Sequence, residues 1–139
     1  MARHCETFDH TADVGLAARG DTLGELMEAL AEGLSDVLCD RSRVRPTERR
    51  PLTVEAEDVE ALAVDFLSAV LLAFEVDRFL VTQARVTKAS ETSLTAELAG
   101  ETYDAGRHDL KTEVKAVTYH QLRIARESGA WSGRVILDL

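Results

Sequence analysis

Leu52-Thr53-Val54-Glu55-Ala56-Glu57-Asp58, with the apolar run that follows it to Phe74, is where the chain changes periodicity for the last time. Leu52 to Ala56 alternates apolar and polar residues, as a half-buried strand does. Asp58 then offers a side-chain oxygen to the open N–H groups of a helix start, and a helix is predicted from there through about Phe74. Leu62, Phe66, Ala69, Val70 and Ala73 form its inner face, while Val64, Leu67, Leu71 and Leu72 widen the apolar arc until the helix is nearly surrounded. Only strand-like patterns occur beyond it. Period-two runs cover residues 81–87, 94–98 and 122–125, and Val135-Ile136-Leu137 is a continuous apolar run of the buried-strand type.

Upstream, Thr22 followed three residues later by Glu25 is a capping-box pattern. Leu23, Leu26, Met27, Leu30, Leu34, Val37 and Leu38 then keep the rhythm of one apolar helical face. Residues 8–18 read as a strand region interrupted by polar residues and ending at Gly20, and both prolines, Pro46 and Pro51, fall within one connector. The predicted order is β–α–β–α–β–β–β–β. A doubly wound parallel sheet needs more crossover helices than two. The expectation is a single α+β domain over residues 1–139: one layer of two helices packed on a mixed or antiparallel sheet of five or six strands.

With 139 residues the chain is long enough to bury roughly two-thirds of its unfolded surface. Its longest apolar stretch, residues 66–74, is about half of the ~18 residues a membrane span requires. Arg3, His4 and Glu6 interrupt any secretory apolar region at the start, so a cytoplasmic protein without membrane association is expected. Cys5 and Cys39 fit neither a disulfide framework nor a metal-ligand spacing. The net charge of −9 opposes a nucleic-acid backbone, whose affinity for proteins comes from Lys and Arg. The basic stretch Arg41, Arg43, Arg45, Arg49 and Arg50 reads as a solvated loop. Direct nucleic-acid binding is not expected; a basic protein partner is.

Two dense polar runs remain. One is Asp9-His10-Thr11-Ala12-Asp13-Val14-Gly15, the other Glu113-Val114-Lys115-Ala116-Val117-Thr118-Tyr119-His120, and the chain closes on Asp138-Leu139. Such crowding costs desolvation unless the groups find partners or a cation. Strands of one sheet can carry all three segments to one edge. Asp13 and Asp138 could then share a hard cation, with Leu139 oxygens completing the shell, since Ca²⁺, Mg²⁺ and Mn²⁺ prefer carboxylate, carbonyl and water oxygens. The plainer alternatives are turn roles for Asp9 and Thr11 and a structural ion pair between Asp13 and Lys115. His10, His108 and His120 lie too far apart in sequence for a zinc pattern. There is no P-loop, dinucleotide fingerprint or nucleophile elbow.

These runs, with the Gly20-Asp21-Thr22-Leu23 helix entry and the Gly100-Glu101 step, resemble the archease family along essentially the whole chain. The resemblance implies a non-catalytic protein cofactor of an RtcB-type RNA ligase. Such a cofactor promotes the ligase's GTP-dependent guanylylation and its multiple turnover in tRNA splicing and RNA repair. It also implies that Asp13, Asp138 and Leu139 hold a divalent metal, with Ca²⁺ expected in a crystal and Mg²⁺ or Mn²⁺ in the cell. Lys115, Glu113 and His10 become the candidates for activating the partner. Ser68 departs from the family pattern, which favours a side-chain amide there. Two rival readings are a stand-alone metal-dependent phosphoester hydrolase using Asp13, Asp138 and His120, and a chaperone-like modulator of nucleic-acid-modifying enzymes.

Overall fold

The computed structural model describes residues 3–10 and 13–139, with residues 8–10 described through their backbone. In chain order it comprises β1 (His4–His10), β2 (Asp13–Gly20), α1 (Leu23–Leu38), a 3₁₀ turn (Arg41–Arg43), β3 (Glu48–Glu55), α2 (Val59–Asp77), β4 (Phe79–Ala89), β5 (Ser93–Thr102), β6 (Ala116–Glu127) and β7 (Ala130–Asp138).

The α+β class and the two helices agree with the sequence reading; the strand count and the single sheet do not. The described strands number seven and divide into two antiparallel sheets, ordered β1-β2-β7-β6 and β3-β5-β4. The strand expected over residues 8–18 is a hairpin, with His10 opposite Asp13. No Asn-Gly or Asp-Gly pair announces its turn; Thr11 and Ala12 lie outside the described residues. At the other end, Ser128 (φ 52°) and Gly129 (φ 79°) make a two-residue turn of the type that suits strand twist, so β6 and β7 outrun their apolar centres.

Pro51 belongs to β3 rather than to a connector. An edge position makes this tolerable, because a proline there removes no essential ladder donor. The basic stretch is likewise not a free loop. Arg41 pairs with Asp36, Arg43 with Asp109, Arg49 with Glu97 and Arg50 with Asp77, so four of its five charges face acids of the same chain.

Both helices start as predicted. Thr22 Oγ1 accepts from Glu25 N–H at 3.1 Å while Glu25 Oε1 accepts from Thr22 N–H at 3.2 Å, closing the capping box. Asp58 Oδ1 accepts from Ala61 N–H at 2.8 Å. Helix α2 runs past Phe74 to Asp77 because Arg78, in the left-handed region at φ 56°, caps it by donating its N–H to the Ala73 and Phe74 carbonyls. A non-glycine cap leaves no signal in the sequence.

In α1, 12 of 16 residues are buried, so the helix is covered on two sides. It lies against β2 of one sheet and β4 of the other, and α2 packs mainly on β6 and β4. Leu26, Met27, Leu30 and Leu34 have no accessible surface; burying each is worth roughly 1.5–3 kcal/mol. Helix α1 also covers the open edge of β4: Glu28 accepts from Val86 N–H at 2.8 Å and Glu32 from Ala84 N–H at 3.3 Å. Arg3 and Arg41 lie beside these two carboxylates. A strand edge that would otherwise template another chain is thus consumed inside the domain.

Candidate functional site at the strand ends

Antiparallel pairing of β2 with β7 sets Asp13 directly opposite Asp138, and pairing of β6 with β7 sets Ala116 on the other side of Asp138. The three segments singled out in the sequence therefore meet at one sheet end. Registered partners project to the same face of a sheet, with Cβ atoms about 4.5–5.5 Å apart. The neighbouring pair, Val14 and Leu137, packs on the core. Asp13 and Asp138 consequently emerge on the opposite face, Asp13 half-buried and Asp138 exposed. Two carboxylates so placed repel each other; a shared cation makes the same arrangement favourable.

The approach of the second polar run is fixed by its backbone. Lys115 N–H donates to the Asp138 carbonyl at 2.8 Å, immediately before β6 begins. Val114 is buried, so the residues flanking it, Glu113 and Lys115, both face outward. They border an open cleft of about 460 Å³ whose other walls include Phe74, Arg78, Leu110 and Lys111. Leu139 is half-buried and packs against the core. His10 is the register partner of Asp13; its side chain and that of Asp9 lie outside the described residues.

Tyr119 and His120 lie inside β6 rather than before it. There the register with β7 breaks between Thr118 and Arg123, and Gln121 takes a left-handed conformation (φ 53°). This bulge turns both side chains outward; Thr118 Oγ1 donates to the Ile136 carbonyl at 3.0 Å and accepts from His120 N–H at 3.2 Å. Among the described residues no group of three or more His, Cys, Asp or Glu side chains is gathered as a metal cluster. A cation on Asp13 and Asp138 would draw on main-chain oxygens and water as well. Ca²⁺, Mg²⁺ and Mn²⁺ accept such a donor set; zinc, which favours three or four His and Cys ligands, does not fit it.

His108 is no ligand at this site. It is buried beside Glu101, the residue that sequence reasoning missed. Glu101, at the end of β5, accepts from Arg107 Nη1 at 3.1 Å and Nη2 at 2.6 Å, from Arg45 N–H at 2.8 Å and from His108 Nε2 at 2.8 Å. His108 Nδ1 accepts from Asp104 N–H at 2.9 Å, so the ring proton sits on Nε2 and points at the carboxylate. The Arg107 guanidinium is the main cause holding the Glu101 carboxyl down at about 2, against the opposing effect of burial. Because that value lies below the ordinary 4.5, the stabilisation is complete above pH 4.5 and is lost as pH falls towards 2. Thermal melts should therefore lose stability across that window, and Glu101→Gln should flatten the slope within it.

Neither cysteine belongs to a reactive site. Burial, reinforced by Asp36, pushes Cys5 up to about 12 and Cys39 up to about 11. At pH 8 both thiols should alkylate far more slowly in native protein than in protein unfolded by guanidinium, which mass spectrometry of iodoacetamide adducts reads directly.

Residues 5–139 match the model of the Archease protein family. Among curated relatives, Protein archease of Thermococcus gammatolerans is 40% identical over 141 residues, covering 99% of each chain. Protein archease of Methanosarcina barkeri is 36% identical over 143 residues, covering 100% of this chain and 98% of its own. The solution structure of Methanobacterium thermoautotrophicum protein 1598 superposes with a TM-score of 0.81 at 34% identity, over 97% of this chain and 98% of that one. A crystal structure described as an archease, possible chaperone, from Thermotoga maritima shares the fold, with a TM-score of 0.67 at 21% identity over 96% of both chains.

Proposed function

From the premise that this chain belongs to the archease family, we propose that it is a protein cofactor that activates an RtcB-type RNA ligase through a divalent-cation site at the ends of β2 and β7. The reading rests above all on the registered pair Asp13 and Asp138, with the Lys115 N–H bound to the Asp138 carbonyl. Asp13 and Asp138 would hold the cation from two adjacent strands, with main-chain oxygen of Leu139 and water as further donors. When bound, such an ion supplies positive charge against nucleotide phosphates during transfer.

The chain's own residues do the rest. Lys115, whose N–H is bound to the Asp138 carbonyl, contributes a second positive charge towards a phosphate. Glu113, on the other side of buried Val114, faces the cleft that a partner would cover. Asp13 sits in a strand pinned on both sides, so the carboxylate pair is preorganised and binding need not order a loop. The net charge of −9 favours approach to a cationic ligase surface and disfavours independent RNA binding.

The test is RNA joining with ligase limiting over substrate. Adding the chain should raise the number of joined ends per ligase from about one to many, with no joining by the chain alone. Phosphoester cleavage by the chain alone would point instead to the metal-dependent hydrolase. Protection of unrelated aggregating proteins without ligase stimulation would point to a general chaperone.

A further inference from the structure

Lys115 and Glu113 are delivered by a segment without regular structure, and its course is set some distance from the strand ends. Residues 103–115 leave β5 and cross the C-terminal end of α1. Asp104 folds the first part into a tight turn: its carbonyl accepts from the N–H groups of Arg107 at 3.0 Å and His108 at 2.9 Å, and its Oδ1 from Gly106 N–H at 2.9 Å. The next part docks along the last turn of α1. Lys111 N–H donates to the Leu38 carbonyl at 2.8 Å, Thr112 N–H to the Val37 carbonyl at 3.2 Å and Lys111 Nζ to the Asp36 carbonyl at 3.0 Å. These carbonyls are among those a helix end leaves without intrahelical donors. One residue pair further, Asp109 accepts from Asp40 N–H at 2.9 Å. The segment then reaches Asp138 through Lys115 N–H.

We infer that Glu101 is a positioning residue for Lys115 and Glu113: its carboxylate locks the 103–108 turn and so fixes the register in which residues 109–115 lie across α1 towards Asp138. Four donors converge on this one carboxylate. They come from the 45 position, from Arg107 and from His108, whose side chain has no accessible surface. Arg107 adds a contact to Asp104 on the outer side of the same turn. A one-residue slip of the turn would break the three bonds from Arg107 and His108 together, while the Arg45 N–H holds the carboxylate itself in place, so the network selects a single register for the turn. None of the four donors to Glu101 comes from β2 or β7, so the lock acts at a distance from the Asp13 and Asp138 pair.

The role assigned to Lys115 rests on the proposed ligase activation, but the register lock is testable without a ligase. Amide exchange should be followed in wild type, Glu101→Gln, Arg107→Met and Arg107→Lys. Glu101→Gln replaces the charged acceptor that all four donors share, so exchange at Lys111, Thr112 and Lys115 should rise about tenfold or more. Amides of the β2–β7 pairing should keep their wild-type rates, and Ca²⁺ affinity should stay the same. Arg107→Met should raise the same three amides, and Arg107→Lys should restore part of their protection; these two carry the test if Glu101→Gln does not fold. With a ligase present, Glu101→Gln should stimulate less than wild type despite normal Ca²⁺ binding. Unchanged exchange over 109–115, or an equal rise throughout the sheets, would overturn the inference. Failure of wild type to stimulate the ligase would instead remove the proposed function while leaving the register lock intact.

Discussion

Asp13→Ala and Asp138→Ala proteins are expected to fold normally, to lose cation binding and to fail as activators. Asp138 is exposed and Asp13 only half-buried, and removing one of two carboxylates that face each other across a strand pair relieves repulsion. Stability of Asp138→Ala in the absence of metal should therefore change by no more than about 0.5 kcal/mol. Affinity for Ca²⁺ or Mn²⁺ is a different matter. Groups that merely orient metal ligands are worth about 10–100-fold in affinity, so losing one of two carboxylate ligands should cost about 100-fold or more. Isothermal titration reads this directly. A second readout is the melting temperature: excess cation at ~100 times its dissociation constant stabilises a folded binder by about 2.7 kcal/mol. Wild type should show that shift, and neither variant should.

The second large effect lies in the fold, at Gly100. A Cβ built there would stand 1.8 Å from the Leu80 carbonyl oxygen, 2.8 Å from the Leu80 carbonyl carbon and 3.1 Å from Val81 Cα. All three atoms are backbone of β4, paired with β5 at Leu80↔Glu101 and Val81↔Gly100, so no side chain can rotate out of the way. Gly100→Ala must push β4 from β5 next to Leu80, Val81 and Phe79, none of which is more than 2% exposed. A cost of about 3 kcal/mol or more is expected, at the upper end of overpacking effects. Chemical denaturation should read it as a lower midpoint, and the neighbouring Glu101 network should loosen with it. Ala at Gly129, whose Cβ would meet nothing within 4 Å but whose φ is 79°, should cost less.

The helices were legible because their signals are local. Thr22 with Glu25, and Asp58 ahead of an apolar run, fix two helix starts from windows of a few residues. The first hairpin was not. Residues 8–18 carry no turn dipeptide, so two antiparallel strands read as one. The first half of β6, ahead of the 122–125 run, hides because Tyr119 and His120 occupy a bulge that breaks the alternation on which a strand reading depends. Missing the first hairpin also concealed that there are two sheets. The acids of the candidate site were recognisable by type, since Asp13 and Asp138 sit at the ends of apolar runs. That they stand directly opposite each other is a consequence of register, which a one-residue slip would undo. The role of Glu101, visible in the sequence only as part of the Gly100-Glu101 step, escaped notice for a related reason: its partners arrive from the 45 region and from the 104–108 turn, and only the fold brings these together. His108, one of the three histidines that form no zinc pattern in the sequence, has both ring nitrogens occupied by structural hydrogen bonds.

The central claim is that the carboxylate pair at the strand ends is what a ligase needs from this protein. Single-turnover formation of ligase–GMP from labelled GTP tests it most directly, with no addition, with wild-type chain and with Asp138→Ala, each at limiting Mn²⁺. The account predicts faster adduct formation with wild type and the unassisted rate with the variant. Equal stimulation by a folded Asp138→Ala protein would contradict it, as would no stimulation by wild type of a ligase that is active on its own.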